Sequence, residues 1–108
     1  MRILLDECVP RPLKREFSDL NLKTVREMGW SGTKNGALLG LMSEEGFTVL
    51  LTSDGHIKYE QNLQKVGIAV IVMISRTNRL DDLLPLIPEV REILLTIKPG
   101  ELAEVGSF

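Results

Sequence analysis

Two short apolar runs end in acid. Arg2-Ile3-Leu4-Leu5 leads into Asp6 and Glu7, and Val49-Leu50-Leu51-Thr52 leads to Asp54. Each run reads as a buried strand, and the carboxyl ends of strands in an open parallel α/β sheet form the crevice where ligands bind. Carboxylates delivered there by two strands make a small centre of hard oxygen donors, which suits Mg²⁺ or Mn²⁺. Carboxylates held close cannot all ionise cheaply without a cation, so at least one pKa in the group Asp6, Glu7 and Asp54 is expected to be raised. Each acid also has an ordinary role. Glu7 would favour the amino end of a following helix, and Asp54 would cap a turn through Ser53-Asp54-Gly55.

The elements that must position these acids alternate between strand and helix. Residues 2–6 form the first strand. Val9, Leu13, Phe17 and Leu20 then recur at the spacing of an amphipathic helix, with Pro10 and Pro12 tolerated in its first turn. Lys23 to Val25 is a weak second strand. A loop from Met28 to Asn35 carries Trp30, and a second helix starts near Asn35 with Thr33 or Asn35 as its N-cap. Gly46 is placed to end it. Phe47–Thr52 and Ile68–Ile74 are continuous apolar runs, as expected of strands covered on both faces.

A short helix is expected around Asn62–Val66. Leu80, Leu83, Leu84, Ile87, Val90, Leu94 and Ile97 keep a helical period that Pro85 and Pro88 interrupt, which predicts a short helix followed by a longer one. Leu102 to Val105 would add an edge strand. The whole predicts one domain over residues 1–108, a three-layer α/β/α fold around a mainly parallel sheet of four to five strands.

Composition narrows the setting. The 108 residues hold a single cysteine, Cys8, which excludes an intrachain disulfide and fits a reducing compartment. Ile3-Leu4-Leu5 is too short for the apolar core of a signal peptide, and no apolar run approaches the ~20 residues that span a bilayer. A cytoplasmic protein is expected. Net charge is −2, so a strongly basic nucleic-acid footprint is absent and any RNA-binding surface must be a local patch.

Right-handed crossovers bring all strand-to-helix loops to one edge. That edge gathers Asp6, Glu7, Cys8, Trp30, Asn35, Asp54, His56, Tyr59, Ser75, Arg76, Asn78 and Arg79. Asp6 and Asp54 are the candidate metal ligands, and Glu7 assists or orients water. Asn35 is either an amide-oxygen ligand or a helix cap. Arg76, Arg79 and His56, the only histidine, are candidates for meeting a substrate phosphate.

The motifs Ile-Leu-Leu-Asp-Glu-Cys-Val-Pro at 3–10, Thr-Val-Arg-Glu-Met-Gly-Trp at 24–30 and Leu-Leu-Thr-Ser-Asp at 50–54 resemble, in order and spacing, small bacterial PIN-like domain proteins. The resemblance extends to Tyr-Glu-Gln-Asn at 59–62 and Ile-Lys-Pro-Gly-Glu at 97–101. That family is predicted to supply the toxin half of toxin–antitoxin pairs. The resemblance implies a nuclease fold whose carboxylates bind Mg²⁺ or Mn²⁺ and activate water to cut RNA, with Asp6 as central ligand, Glu7 its neighbour and Asp54 at the end of the third strand. It also implies single-stranded RNA and an antitoxin protein as partners; a homodimer is left open, since the sequence does not reveal the oligomeric state. Two departures deplete the acidic set: Asn35 stands where an acid would be expected in the second helix, and Gly55-His56 follows Asp54. Glu44 and Glu45, at the far end of that helix, are not expected to substitute.

Three functions follow. One is a Mg²⁺- or Mn²⁺-dependent ribonuclease with a depleted site. The second is a PIN-like module that binds protein or RNA without cutting. The third is a phospho-acceptor receiver, since Asp6-Glu7, Asp54, Ser75 and Lys98 mimic that layout, although Lys98 follows a predicted helix rather than a fifth parallel strand.

Overall fold

The computed structural model describes residues 1–57 and 63–107. Its five strands are β1 (Ile3–Leu5), β2 (Leu22–Thr24), β3 (Val49–Thr52), β4 (Ala69–Ile74) and β5 (Leu102–Gly106). They form one sheet in the order β2-β1-β3-β4-β5, and every neighbouring pair is parallel. The strand order reverses between β1 and β3, so the two strands that end in acid flank the switch point of a doubly wound sheet.

Alternation of side chains along each strand divides the core in two. Ile3, Leu5, Val49, Leu51, Ile71 and Met73 face one side. They are covered there by Leu13 and Phe17 and by Ile87, Val90 and Leu94 of the last helix. Leu4, Leu50, Val70 and Val72 face the other side, beneath Leu38, Leu39 and Met42 of α1 (Asn35–Glu44) and Leu63 of α2 (Leu63–Val66). Burial on both faces explains why β3 and β4 read as unbroken apolar runs. The expected three layers are present.

The segment after β1 departs from expectation. It is a 3-10 helix over Arg11–Phe17 rather than an α-helix, although Val9, Leu13 and Phe17 are buried as the spacing predicts. Its first closing bond, from the Leu13 N–H to the Pro10 carbonyl at 3.0 Å, already spans three residues. Pro12 disfavours α geometry at the residue before it and brings no amide of its own. The second strand sits one residue earlier than predicted, at Leu22–Thr24.

α1 begins at Asn35, but its N-cap is Lys34, which makes no side-chain capping bond, so neither Thr33 nor Asn35 caps it. Its end is as predicted. Gly46 has φ +77°, its N–H reaches the Ser43 carbonyl at 3.3 Å, and the Phe47 N–H reaches Met42 at 2.9 Å. Those two bonds are the Schellman pair that a left-handed glycine permits.

The proline-split helix is also as expected. α3 (Leu80–Leu83) runs through a 3-10 turn (Leu84–Leu86) into α4 (Ile87–Leu94), with Pro85 and Pro88 each in a first turn. β5 joins β4 as a parallel edge strand. Tyr59 and the Asn62 start of the expected short helix lie outside the described residues. Among the described residues no helix is long and apolar enough to cross a membrane.

Candidate functional site

Register fixes the centre of the crevice. Leu5 pairs with Leu51 across the β1–β3 boundary, and the Asp6 N–H continues that ladder to the Leu51 carbonyl at 2.9 Å. The next residues, Asp6 and Thr52, are therefore opposite each other and share a face. The Thr52 hydroxyl donates to Asp6 Oδ2 at 2.7 Å and accepts the Asp54 N–H at 3.0 Å. Thr52 is fully buried and Asp6 only 8% exposed. One hydroxyl thus joins the Asp6 carboxylate to the backbone that carries Asp54.

Asp6 is otherwise held by the Glu7 N–H, which donates to Oδ1 at 2.8 Å. Glu7 itself turns away, and its Oε1 accepts the Gly32 N–H at 2.9 Å. That bond ties the first crevice loop to the loop before α1. Asp54 is ringed by donors. Its Oδ1 accepts the His56 N–H at 3.0 Å and lies 3.1 Å from the His56 ring Nδ1, while Oδ2 accepts the Asn35 amide at 3.4 Å. An amide oxygen facing that carboxylate would be repelled, so the NH₂ end of Asn35 must be the end presented.

Burial pushes the Asp54 carboxyl up, but the His56 backbone N–H, the Asn35 amide and the His56 ring outweigh it and hold the group below the ordinary aspartate range. This corrects the expectation of a carboxyl raised by crowding in the case of Asp54. Local donors supply to Asp54 the positive end that a cation would otherwise bring. Among the described residues no group of three or more His, Cys, Asp or Glu side chains is arranged to hold a metal ion.

The donor set still has oxygen to offer. A carboxylate has roughly four acceptor positions. Two donors occupy Asp6 and three surround Asp54, which leaves about two and about one respectively. Such a capacity suits a single hard cation that keeps most of its waters. Asp6 and Asp54 would be the protein ligands, and Asn35 would join them only by rotating its amide away from Asp54.

The other expected residues are dispersed. His56 is well exposed, with 84% of its side chain accessible, and meets the site through Asp54. Arg76 and Arg79 are exposed in the loop after β4, where the Arg79 N–H is capped by the Thr77 hydroxyl at 3.0 Å. Ser75 donates to the Asp82 carbonyl at 3.2 Å. Trp30 packs edge-on against Phe47 with ring centroids 5.7 Å apart, so it fills the core flank. Cys8 accepts the Ser53 hydroxyl at 3.2 Å. Glu44 and Glu45 end α1, and the Glu45 carbonyl is bound by Arg2 from the amino end of β1, at the edge opposite Asp6. Lys98 precedes β5 and so lies at that same far edge. The receiver arrangement of acids, acceptor and lysine around one pocket is not assembled.

The open space beside Asp6 is on the β2 side. A cleft of about 630 Å³ is lined by Asp6, Glu7, Cys8, Arg11, Thr24 and Arg26, with Val9, Pro10 and Val25 as its apolar wall. Asp54 and Asn35 are not part of it. Sequence reasoning passed over Arg11 and Arg26, and also Thr52. The signal for Thr52 was present, because strand parity puts it on the same face as Asp6 once β1 and β3 are neighbours. A second readable signal was Thr24-Val25-Arg26-Glu27, the spacing of a capping box. The Thr24 N–H donates to Glu27 Oε1 at 2.9 Å and the Glu27 N–H to Thr24 Oγ1 at 3.0 Å.

Comparison with protein-family models, curated proteins and solved structures returns no match for this chain. Its function must be read from the strand-end crevice itself.

Proposed function

We propose that this chain is a PIN-like, Mg²⁺- or Mn²⁺-dependent ribonuclease with a reduced acidic site, of the kind that serves as the toxin of a toxin–antitoxin pair. The observation that carries the reading is the Asp6–Thr52–Asp54 connection at the β1–β3 switch point. Two acids from adjacent parallel strands are tied there by one buried hydroxyl, on the ligand-binding edge of the sheet. A bound divalent cation would lower the pKa of a coordinated water and offset charge on the scissile phosphate.

The residues of the chain have distinct tasks in this reading. Asp6, nearly buried and fixed by two donors, is the rigid ligand. Asp54, ionised across the neutral range, is the adjustable one, since its partners Asn35 and His56 can be displaced. Thr52 keeps the two in register. Glu7 orients water only if it exchanges its Gly32 partner for one at the cleft. Arg76, Arg79 and His56 are the substrate contacts on the Asp54 side.

The test is cleavage of single-stranded RNA with and without Mg²⁺ or Mn²⁺, wild type against Asp6→Asn. Metal-dependent cleavage lost in the variant, with the fold retained, supports the reading. Equal activity in both proteins, or none at millimolar metal, removes it. A second reading, a PIN-like module that binds RNA without cutting it, is favoured by one observation: Asp54 is already satisfied by Asn35 and His56. Metal-independent RNA binding without cleavage is its expected signature.

A further inference from the structure

Two arginines stand at the mouth of the Asp6 cleft, one from each side. Arg11 opens the 3-10 helix after β1 and Arg26 lies in the turn after β2. Both line the 630 Å³ cleft, and both also line a smaller adjoining hollow of about 290 Å³ with Lys14, Thr24 and Glu27. They therefore occupy the ridge between the two hollows, and both are exposed.

Their charge is not neutralised locally. Residues 11–26 carry five basic side chains (Arg11, Lys14, Arg15, Lys23, Arg26) against two acids (Glu16, Asp19). Asp19 is held by Arg91 from α4. Glu27, the acid of the smaller hollow, is taken by Lys14 at 2.8 Å and by the Thr24 N–H at 2.9 Å. Lys14 is three residues from Arg11, and side chains at that spacing eclipse in a 3-10 helix. Lys14 thus occupies the Glu27 carboxylate, while Asp6 and Glu7, the acids of the larger cleft, accept the Thr52 hydroxyl and the Glu7 and Gly32 amides. Among the described residues neither arginine forms an ion pair. Like charges left on a shared ridge disfavour one another, and an anion bound between them relieves this.

The backbone at both positions is set in advance. Arg11 sits between Pro10 and Pro12, whose rings fix their own φ, and Arg26 lies inside the reciprocal Thr24–Glu27 bonds, with its carbonyl bound by the Gly29 N–H at 3.0 Å. A guanidinium matches a phosphate in two-point geometry, and a fixed backbone sets where each side chain starts. Pro10, half-buried in the cleft wall, is the apolar surface against which a base could rest. The cleft volume falls within the roughly 300–1,000 Å³ of ordinary ligand sites, too small for a duplex.

We infer that Arg11 and Arg26 form a phosphate clamp that takes the backbone of single-stranded RNA into the β2-side cleft and past Asp6. The choice of RNA over another polyanion rests on the proposed nuclease reading; the clamp itself does not depend on cleavage.

The experiment is fluorescence anisotropy of a labelled oligouridine in EDTA across a salt series, for wild type, Arg11→Ala, Arg26→Ala, and Arg76→Ala with Arg79→Ala. Circular dichroism checks the fold of each variant. Each single change on the ridge should weaken binding roughly 5- to 10-fold and lower the log K against log salt slope by about 0.7, as expected per phosphate contact on a single strand. Arg11→Lys and Arg26→Lys should keep the slope and recover part of the affinity. Wild type that fails to bind oligouridine, unchanged affinity in both ridge variants, or a loss confined to Arg76 and Arg79 would each overturn the inference. So would retention of a polyglutamate peptide on the ridge with no RNA binding, which would assign it to an acidic protein partner. Ridge-dependent binding with no metal-dependent cleavage supports the clamp and sinks only the nuclease.

Discussion

Thr52 and Asp6 are bonded side chain to side chain at 2.7 Å because the β1–β3 register sets them opposite each other. The same hydroxyl oxygen accepts the Asp54 N–H at 3.0 Å, so a residue with no charge governs the spacing of the two that have one. This makes the crevice a property of the sheet rather than of its loops. Asp6 cannot move without breaking a buried bond, whereas Asp54, on the loop side of Thr52, meets partners that solvent can replace.

Thr52→Val tests that dependence. Valine has nearly the same shape but leaves Asp6 Oδ2 without its donor and the Asp54 N–H without its acceptor. An unsatisfied buried polar group costs about 1–3 kcal/mol, so stability should fall by at least that much in urea unfolding, and any Mg²⁺-dependent stabilisation should weaken. Unchanged stability would mean that water replaces the hydroxyl and that Thr52 is not the strut.

Asn35→Asp separates two roles for the first residue of α1. Lys34 occupies the N-cap position, so the substitution leaves the N-cap residue unchanged, and the new acid's effect on the helix amino end is the same with and without Mg²⁺. The new carboxylate would face Asp54 in place of a donated amide. Without a cation, like charges should raise the pKa of Asp54 and lower the melting temperature. With Mg²⁺ the third acid should tighten binding and turn that loss into a gain through linkage to the native state. A melting temperature that responds identically to Mg²⁺ in both proteins would place Asn35 outside the metal's reach.

The sheet was legible because its signals are periodic and local. Unbroken apolar runs at 47–52 and 68–74 mark strands covered on both faces, and Pro85 and Pro88 divide the last helix where expected. The acids at strand ends were legible for the same reason. What escaped depends on register and on tertiary contacts. Thr52 matters only once β1 lies beside β3, and Arg11 matters only once the fold sets it beside Arg26 at the same cleft. The 3-10 form of the first helical segment escaped because apolar spacing reports which side chains are buried and not which carbonyl each amide finds.

The Lys14–Glu27 pair should give stability a specific pH dependence. The Glu27 carboxyl is held below the usual glutamate range, first by the Lys14 ammonium and then by the Thr24 N–H. In the acid range the folded state therefore binds fewer protons than the unfolded chain, and unfolding takes protons up. The contribution is complete above the unfolded pKa of about 4.3 and is lost as pH falls through the lower folded value. The pair is about 40% exposed, so solvent screening limits it to less than about 1 kcal/mol. Glu27→Gln keeps an oxygen for the Thr24 N–H. Urea unfolding should show the wild-type advantage at pH 7 shrinking as pH falls below the unfolded value and through the lower folded one. A constant difference across that range would assign the effect to packing instead of charge.

Two glycines should respond in opposite directions to alanine. Gly40 is inside α1 on its exposed face, and a methyl group there would meet nothing within 4 Å. Gly40→Ala should therefore gain about 0.5–1 kcal/mol, by helix propensity and by a less free unfolded chain, and should firm the helix that carries Asn35. Gly106 closes β5 with φ +88°, and a Cβ there would stand 2.3 Å from the Ile74 carbonyl oxygen and 2.8 Å from Leu86 Cδ2. The left-handed backbone alone costs a side chain about 1–2 kcal/mol, and the carbonyl cannot yield without disturbing the β4–β5 pairing. Gly106→Ala should lose more than that sum and unfold at lower urea. If it melts with wild type, β5 can leave the sheet edge at little cost, and the sheet that holds Asp6 and Asp54 is stable without its fifth strand.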